Sequence, residues 1–273
     1  MTNFYSQLIT SANIFVMGIL NVTPDSFSDG GKFNSVELAT EHALEMLEDG
    51  ADIIDVGGES SRPGADEVSI EEEIKRTIPT IQNILKQKPN SIISIDTTKS
   101  EVAEAALQSG TKIINDISGI SNKKMLDVIK KYNATVVIMH MQGKPRTMQK
   151  NPTYKNVVQE VYNYLGNKIN YAKENGVTSI IVDPGIGFGK SVNHNYELLK
   201  NLANFKSLET PLLIGVSRKS LIGKTLNLEL HERDIATIIL ETDAINKGAK
   251  IIRTHNVKNG VQLKKLNKII TNA

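Results

Sequence analysis

Polar and charged side chains recur along this sequence directly after short apolar runs that are predicted to be β-strands. The set comprises Asn21, Glu59, Asp96, Asn115, Asp116, His140, Asp183, Ser217, Arg253 and His255. In a barrel of parallel strands the carboxyl ends of all strands meet at one face, so these side chains would lie together. A carboxylate at the end of a buried strand must be solvated, paired or functional. The pattern therefore predicts an enzyme whose site is built at that face.

Three of these side chains are suited to binding a flat ring. Asp96 and Asp183 offer carboxylate oxygens and Asn115 offers an amide, which fits a heterocycle that presents several N–H donors along one edge, as a pterin does. The alternative is that these groups are structural and pair with lysines of the same region, Lys99, Lys112 or Lys219.

Cationic side chains predict a second kind of site, for an anion. Arg253 and His255 are alternate residues at the last predicted strand, so their side chains project to the same side and could converge on one anion. Parallel barrels commonly bind phosphate beside their last two strands. Lys219 and Arg62, in loops after other strands, add positive charge to the region. Such charges repel one another unless a ligand or a carboxylate offsets them.

A glycine-rich loop, PGIGFGKS, follows Asp183. It is not a Walker A loop, because Pro184 stands where that loop needs glycine, and glycine at 185, 187 and 189 does not give the GxGxxG spacing of a dinucleotide site. We expect the glycines to let the backbone approach a flat ligand closely, with Phe188 available to stack on it. A plain tight turn is the alternative.

Eight apolar runs alternate with eight helical patterns along the chain. The predicted strands cover residues 14–20, 51–57, 91–95, 112–114, 134–139, 179–182, 212–216 and 250–253. Strands that alternate with helices, without a composition break or a proline-rich linker, favour an α/β fold: a (β/α)8 TIM barrel, with residues 1–273 forming a single domain and the active site at the C-terminal ends of the strands. A doubly wound parallel sheet is the second interpretation.

Composition excludes several classes of protein. The net charge of +2 gives no footprint for nucleic acid or an acidic membrane surface, and no apolar run approaches the roughly 18 residues that a membrane helix needs. The absence of cysteine excludes disulfides and thiolate metal sites and is compatible with a reducing cytosol. The N-terminus lacks the basic and apolar regions of a signal peptide, so we expect a cytoplasmic protein.

Eight motifs occur in one order along nearly the whole chain: NVTPDSFSDGG, GGESSRPGA, IDTTKSEVA, INDISG, MHMQGKPRTMQ, DPGIGFGK, GVSRKS and RTHNV. Together they resemble the dihydropteroate synthase family. The resemblance implies a TIM barrel that joins (7,8-dihydropterin-6-yl)methyl diphosphate to p-aminobenzoate, releasing diphosphate and giving 7,8-dihydropteroate for folate synthesis. It also implies Mg²⁺ as the cofactor and a homodimer as the assembly.

The resemblance assigns a role to each matching residue. Asn21 would ligate the Mg²⁺ bound to the diphosphate. The diphosphate itself would be held by Ser61, Arg62, Arg253 and His255. The pterin would be held by Asp96, Asn115, Asp183, Phe188 and Lys219, among which Asp96 and Lys219 would be the catalytic residues. The p-aminobenzoate would be held by Phe27, Pro63, Phe188 and Ser220, with Arg218 beside the glycine loop. No side-chain nucleophile is required, and we favour a dissociative substitution in which Asp96 stabilises a methylene cation.

Two residues depart from the family pattern. The family usually has threonine at Ser61, where serine keeps the hydroxyl donor, and aspartate at Asn256, where the loss of charge beside His255 leaves open what orients that imidazole. Two other functions are weighed: a methyltetrahydrofolate:corrinoid methyltransferase, which has no use for a diphosphate site, and a non-catalytic pterin-binding protein, which would not need the full set of strand-end groups.

Overall fold

A computed structural model describes residues 4–23, 35–60 and 64–273. Eight parallel strands form one sheet in the order β6-β5-β4-β3-β2-β1-β8-β7. The strands are β1 (Phe15–Asn21), β2 (Ile53–Gly57), β3 (Ile92–Asp96), β4 (Ile113–Asp116), β5 (Thr135–Met139), β6 (Ile180–Asp183), β7 (Leu213–Ile214) and β8 (Ile251–Thr254). A parallel bridge between Val182 and Leu212 joins the two outer strands of that order, so the sheet closes into a barrel. The predicted (β/α)8 fold is confirmed, and the expectation of one domain over residues 1–273 stays a prediction.

Helices surround the barrel. Those of the described residues are α1 (Phe4–Thr10), α2 (Ser35–Glu48), α3 (Ile70–Gln87), α4 (Ser100–Gln108), α5 (Lys123–Tyr132), α6 (Val157–Glu174), α7 (Val192–Lys200), α8 (Ser220–Leu226), α9 (Asp234–Asn246) and α10 (Val257–Asn272). Short 3₁₀ helices cover Leu202–Leu208 and Leu230–Glu232. Ser69 caps α3 by accepting from the Glu72 amide at 3.2 Å, whereas the Glu72 carboxylate binds Arg76 at 2.9 Å rather than completing a capping box.

The strands are apolar on both faces because each face packs against a different core. Outward-facing residues such as Ile54, Ile95 and Ile252 pack with the helices in the large outer core. Inward-facing residues at the N-terminal end of the strands form a separate core inside the barrel. Its strand members are Met17, Ile53, Ile113, Val137, Ile181, Leu213 and Ile251, and Phe4 and Leu8 of α1 pack onto it.

The structure departs from the predicted elements in three places. Helix α1 was not predicted, because a seven-residue helix is too short for its periodicity to stand out, although Phe4 and Leu8 have the spacing of one buried face. The strand predicted over 212–216 is regular only at Leu213–Ile214, and the residues that follow turn into the site. The sequence pattern predicts a last helix over 261–270, whereas the helix begins at Val257, with the Asn256 side chain capping it.

Candidate active site

Polar side chains replace apolar ones inside the barrel toward the C-terminal ends of the strands. Strand residues alternate between the two faces, so the residue two positions beyond an inward-facing apolar residue also faces inward. In this way Asp55 follows Ile53, Asn115 follows Ile113, Asp183 follows Ile181 and Arg253 follows Ile251. The register places Asp96 beside Asn115, and Asp96 beside Gly57. The fold therefore brings the predicted pterin residues of three strands to the same end of the barrel.

Two carboxylates hold the guanidinium of Arg253. Its Nε donates to Asp55 Oδ2 at 2.6 Å, and its Nη2 donates to Asp96 Oδ2 at 2.8 Å. Only 18% of the Arg253 side chain is exposed, so these ion pairs offset a charge that is largely removed from water. Sequence analysis expected the cations here to need an anion or a carboxylate, and for Arg253 the structure supplies the carboxylates. The contact of Arg253 with diphosphate stays a prediction.

Sequence analysis missed Asp55. The residue lies in the middle of an apolar strand rather than at its end, and its side chain is fully buried. Its Oδ2 accepts from Arg253 and also from Asn115 Nδ2 at 2.9 Å. A charged residue within an apolar strand was the available signal, because a carboxylate is almost never fully buried unless it is paired.

Asn115 and Asp183 are both buried at the inner wall of the site. Asp183 Oδ1 accepts from the Gly185 amide at 2.7 Å, which fixes the carboxylate against the start of the glycine loop. Burial raises the pKa of Asp183, although the charge of Lys219 and the Gly185 hydrogen bond oppose the rise. The two residues present acceptors from the ends of β4 and β6.

Asp96 and Lys219, the predicted catalytic pair, both have shifted pKa values. Burial raises the pKa of Asp96 to about 7, against the lowering effect of the Arg253 charge. Burial lowers the pKa of Lys219 to about 8, against the raising effect of Asp183. Both groups therefore titrate near neutral pH, which is common for groups in active sites.

Lys219 is held by the glycine loop. Its Nζ donates to the Ile186 carbonyl and lies 4.6 Å from the centre of the Phe188 ring, a cation–π contact. Lys219 and Phe188, which were both predicted to hold the pterin, are therefore in contact, and both side chains interact with the glycine loop.

The role predicted for the three glycines is corrected in part. They have left-handed φ angles of 68° at Gly185, 87° at Gly187 and 60° at Gly189. A Cβ at Gly185 would collide with the His140 carbonyl, and one at Gly189 with the Gln142 carbonyl, whereas one at Gly187 would lie 3.0 Å from the Lys219 side chain. Two of the glycines therefore let the loop pack against the backbone that follows β5, and only Gly187 faces a side chain of the site.

Lys190 ties the glycine loop to the end of β5. The lysine is 2% exposed, and its Nζ donates to the carbonyls of Gly185 at 2.8 Å, Phe188 at 2.9 Å and His140 at 3.2 Å. Nζ also lies 2.9 Å from His140 Nδ1. Burial, and then the Lys190 charge, lowers the pKa of His140 to about 3, so the imidazole is neutral. Sequence analysis left the role of His140 open, and the structure gives it a position behind the loop.

Asn21 and His255 line one cavity at the end of β1 and β8. The cavity measures about 430 Å³ and is lined among the described residues by Ile19, Asn21, Leu38, Glu41, His42, Glu45 and His255. The predicted metal ligand and one predicted diphosphate residue therefore share a cavity. His42 of α2, which also lines the cavity, has its Nδ1 3.6 Å from Glu45 Oε2 of the same helix.

Ser217 answers the question of what orients His255. Its hydroxyl lies 3.0 Å from His255 Nδ1 and accepts from the His255 amide at 3.1 Å. Asn256 instead donates to Asp234 at 2.9 Å and caps α10. Asp234 is also held by Arg218, whose Nε and Nη2 donate to it at 2.6 and 2.8 Å, so the guanidinium of Arg218 pairs with α9. The replacement of a charged residue at Asn256 therefore leaves the contact between Ser217 and His255 in place.

Two of the three lysines weighed as structural partners of the strand-end carboxylates do not pair with them among the described residues, whereas the charge of the third, Lys219, acts on Asp183. Lys99 binds Glu59 and Glu73, the latter at 2.5 Å, rather than Asp96. Lys112 is exposed. The ion pairs of Lys99 with Glu59 and Glu73 join the loops after β2 and β3 to α3.

Four predicted site residues, Phe27, Ser61, Arg62 and Pro63, lie outside the described residues. Ser220 is exposed at the first position of α8, directly after Lys219. Of the residues predicted to hold the diphosphate and the p-aminobenzoate, the structure therefore describes Arg253, His255, Phe188 and Ser220.

Two features are absent from the described part of the chain. No group of three or more His, Cys, Asp or Glu side chains there could hold a metal ion. No helix in the same residues is long and apolar enough to cross a membrane.

Comparison with known proteins points to one family. Residues 17–255 match the family model described as pterin binding enzyme. The chain is 48% identical to the dihydropteroate synthase of Escherichia coli K12 over 249 residues, which are 90% of this chain and 88% of that protein. Its structure superposes on the Yersinia pestis dihydropteroate synthase with a sulfonamide drug complex at a TM-score of 0.90, with 39% identity, over 100% of this chain and 98% of that one. The Xanthomonas albilineans enzyme in complex with 7,8-dihydropteroate superposes at 0.86, with 35% identity, over 96% and 95% of the two chains.

Proposed function

The chain belongs to the dihydropteroate synthase family of pterin-binding enzymes, and from that premise we propose how its residues perform the reaction. It condenses (7,8-dihydropterin-6-yl)methyl diphosphate with p-aminobenzoate and releases diphosphate. The observation that carries this function is the set of acceptors, Asp96, Asn115 and Asp183, gathered from three strands at one end of the barrel. The matches over nine-tenths of the chain are to synthases and do not support the corrinoid methyltransferase or the non-catalytic alternative.

The pterin ring is proposed to bind against the acceptors. An N–H-rich edge would donate to Asn115 and Asp183, and Phe188, with Lys219 over its ring, would pack on the ring face. An acceptor edge matched to donors is a strong discriminator, because a ligand that lacks the N–H groups leaves buried acceptors unpaired at a cost of about 1–3 kcal/mol each.

In the substitution, the bond between the methylene carbon and the diphosphate oxygen breaks, and the electron pair leaves with diphosphate. The developing cation is conjugated with the pterin, and the Asp96 carboxylate stabilises it electrostatically in a buried setting where charge interactions are strong. The arylamine nitrogen then forms the new C–N bond and loses a proton. We propose this dissociative order because the site needs no covalent nucleophile for it.

The diphosphate is proposed to leave toward Arg253 and His255, with Mg²⁺ held by Asn21. Mg²⁺ is usually bound by one or two protein oxygens together with phosphate oxygens and water, so the Asn21 amide in a cavity beside His255 fits it without a carboxylate cage. When bound, the ion would neutralise charge on the leaving diphosphate. Ser61 and Arg62 are proposed as further diphosphate ligands, and Phe27, Pro63 and Ser220 as p-aminobenzoate contacts.

A homodimer is proposed because large apolar side chains are exposed on two neighbouring helices. These are Ile235 and Ile239 of α9 and Leu266, Ile269 and Ile270 of α10, each between 59% and 75% exposed. Patches of this kind on a protein surface usually mark an interaction site. Sedimentation equilibrium would measure the assembly, and a cytoplasmic location, also proposed, would be measured by cell fractionation.

The function is tested by incubating the protein with the pterin diphosphate, p-aminobenzoate and Mg²⁺ and measuring diphosphate and dihydropteroate together. We expect both products in equal amounts, dependent on p-aminobenzoate and lost after exhaustive chelation. Diphosphate release that does not depend on p-aminobenzoate would refute the synthase function. Undiminished activity after chelation would remove Mg²⁺ from the mechanism and leave the synthase function standing.

A further inference from the structure

Asp55 lies inside the barrel, in the same layer as Asn115, Asp183 and Arg253. Its neighbour on the inward face of β2 is Gly57, which is in register with Asp96, and Asp96 is in register with Asn115. Asp55 and Asn115 each lie two residues beyond an inward-facing apolar residue, Ile53 and Ile113, and their side chains are in contact. It is fully buried, and its Oδ2 accepts from Asn115 Nδ2 at 2.9 Å and from Arg253 Nε at 2.6 Å.

The contact decides which atom of the Asn115 amide faces the ligand. An asparagine side chain presents an oxygen acceptor on one side and an NH₂ donor on the other, and a rotation of about 180° exchanges them. A carboxylate only accepts, so Asp55 must face the NH₂ group. With that nitrogen turned toward Asp55, the amide oxygen is turned away from it. Asn115 then presents an acceptor on the side away from Asp55.

The same carboxylate oxygen fixes the plane of Arg253. The guanidinium is held at Nε by Asp55 and at Nη2 by Asp96, so two of its edges are occupied by carboxylates from neighbouring strands. Charge-assisted hydrogen bonds of this kind give geometric specificity as well as energy.

The fold gives no separate reason for an aspartate at this position. The inward-facing residues of the layer below are apolar on seven strands. Replacing a buried ion pair by well-packed apolar residues is often neutral or stabilising, so packing alone would favour an aliphatic residue here. Moreover, Asp55 Oδ1 is buried without a hydrogen-bond partner among the described residues. The stability cost of such a group points to a role in the site.

We propose that Asp55 is a positioning residue that sets ligand specificity: by accepting from Asn115 Nδ2 and Arg253 Nε, it makes Asn115 present its amide oxygen to the N–H edge of the pterin. This inference rests on the proposed function, because it takes the pterin as the ligand of Asn115.

The test is a double-mutant cycle that exchanges the two groups. In Asp55→Asn the carboxylate that holds the NH₂ group of Asn115 is lost, so the Asn115 amide can adopt either of its two orientations. In Asn115→Asp two carboxylates face one another without a donor between them. In the double variant Asp55→Asn/Asn115→Asp the new amide donates to the new carboxylate, whose other oxygen faces the ligand, and the net charge matches the wild type. An amide nitrogen at the position of Oδ2 cannot accept from Arg253 Nε, so that hydrogen bond is not restored.

The probe is 6-hydroxymethylpterin, which carries no diphosphate, titrated by calorimetry. Each single variant should bind it about 10-fold more weakly, in the range expected for an unpaired buried polar group. The double variant should bind more tightly than either single variant but less tightly than the wild type, because the acceptor of Arg253 Nε is lost. In turnover, Asp55→Asn should raise KM for the pterin diphosphate and leave KM for p-aminobenzoate unchanged, a split that a general loss of packing would not give.

Ser94→Ala is the matched control, because Ser94 is the register partner of Asp55, is fully buried and has a hydroxyl without a partner among the described residues. It should leave pterin affinity unchanged. Wild-type affinity in Asp55→Asn, or a double variant no better than the weaker single one, would overturn the inference. If Asp55→Asn does not fold, the comparison of Asn115→Asp with the double variant decides, and equal affinities would overturn it. A wild type that does not bind 6-hydroxymethylpterin would refute the proposed function instead.

Discussion

The two ends of the barrel interior are built from the same strands by the same alternation, yet they differ in chemistry. At the N-terminal end, Ile53, Ile113 and their neighbours form an apolar layer closed by Phe4 and Leu8 of α1. Two residues further along the same strands, the inward positions are occupied by Asp55, Asn115 and other groups that ionise or hydrogen-bond.

The difference shows that the lower layer stabilises the fold, whereas the upper layer reduces its stability. Apolar burial contributes roughly 25 cal/mol per Å², so the lower layer stabilises the fold. In the upper layer, burial shifts the pKa of Asp96 up to about 7 and that of Lys219 down to about 8, which means that burial works against the charged form of each. We propose that these groups offset this cost by acting on the ligand.

The contrast between the two layers predicts its largest effect on activity when Lys219 of the upper layer is replaced. Lys219→Met keeps the stem beside Phe188 and removes the charge, and we expect kcat/KM to fall by about 10²–10³, the effect of losing one preorganised electrostatic contact. Steady-state turnover measures it. The control is Lys168→Met, since Lys168 also donates to a carbonyl, that of Ile120 at 3.2 Å, but lies on helix α6, outside the barrel. An equal loss in both variants would mean that the effect is not specific to the site.

A substitution in the lower layer should act on stability alone. Leu8→Ala leaves a cavity under the barrel at a fully buried position, and we expect the free energy of unfolding to fall by about 2–5 kcal/mol. Denaturant titration would measure it. Ile9→Ala in the same helix is the control, because Ile9 is 56% exposed and its truncation should change stability by no more than about 0.5 kcal/mol. Similar losses at both positions would contradict the idea that α1 plugs the barrel.

The smallest expected effect is a pH dependence that belongs to the upper layer. Below about pH 7, Asp96 gains a proton and loses the charge that stabilises the cation, and above about pH 8, Lys219 loses its proton. We therefore expect kcat/KM to fall on both sides of that range. Asp96→Asn should lower kcat/KM and should abolish the fall of kcat/KM below about pH 7.

A control separates the site from another buried acid with a similar pKa. Burial also raises the pKa of Glu241 on α9 to about 8. Glu241→Gln should leave the basic limb in place. If that limb disappears in Glu241→Gln, its assignment to Lys219 is wrong.

Much of the fold followed from the sequence because the strand pattern is local. The apolar runs, the polar residues at their ends and the alternation with helices all lie within windows of about ten residues, and the barrel was predicted from them. The expected meeting of Asp96, Asn115 and Asp183 at one end of the barrel was confirmed for the same reason.

What could not be predicted depends on contacts across the barrel. Asp55 and Arg253 are 198 residues apart in sequence, and nothing local indicates that one holds the other. The contact of Ser217 with His255 was missed in the same way, although both residues had been singled out. The glycine loop was misjudged because its packing partner, the backbone at His140 and Gln142, comes from another strand.

The most direct test of the account compares two residues of β4, Ile113 and Asn115, which are both buried and both face the barrel interior. Activity per folded molecule and the free energy of unfolding would be measured for Ile113→Ala and Asn115→Ala. We predict that Ile113→Ala loses about 2–5 kcal/mol of stability with little change in kcat/KM, whereas Asn115→Ala loses kcat/KM for the pterin diphosphate by at least about 10-fold. Loss of stability alone in both variants, with kcat/KM unchanged in Asn115→Ala, would contradict the claim that the upper layer is the active site.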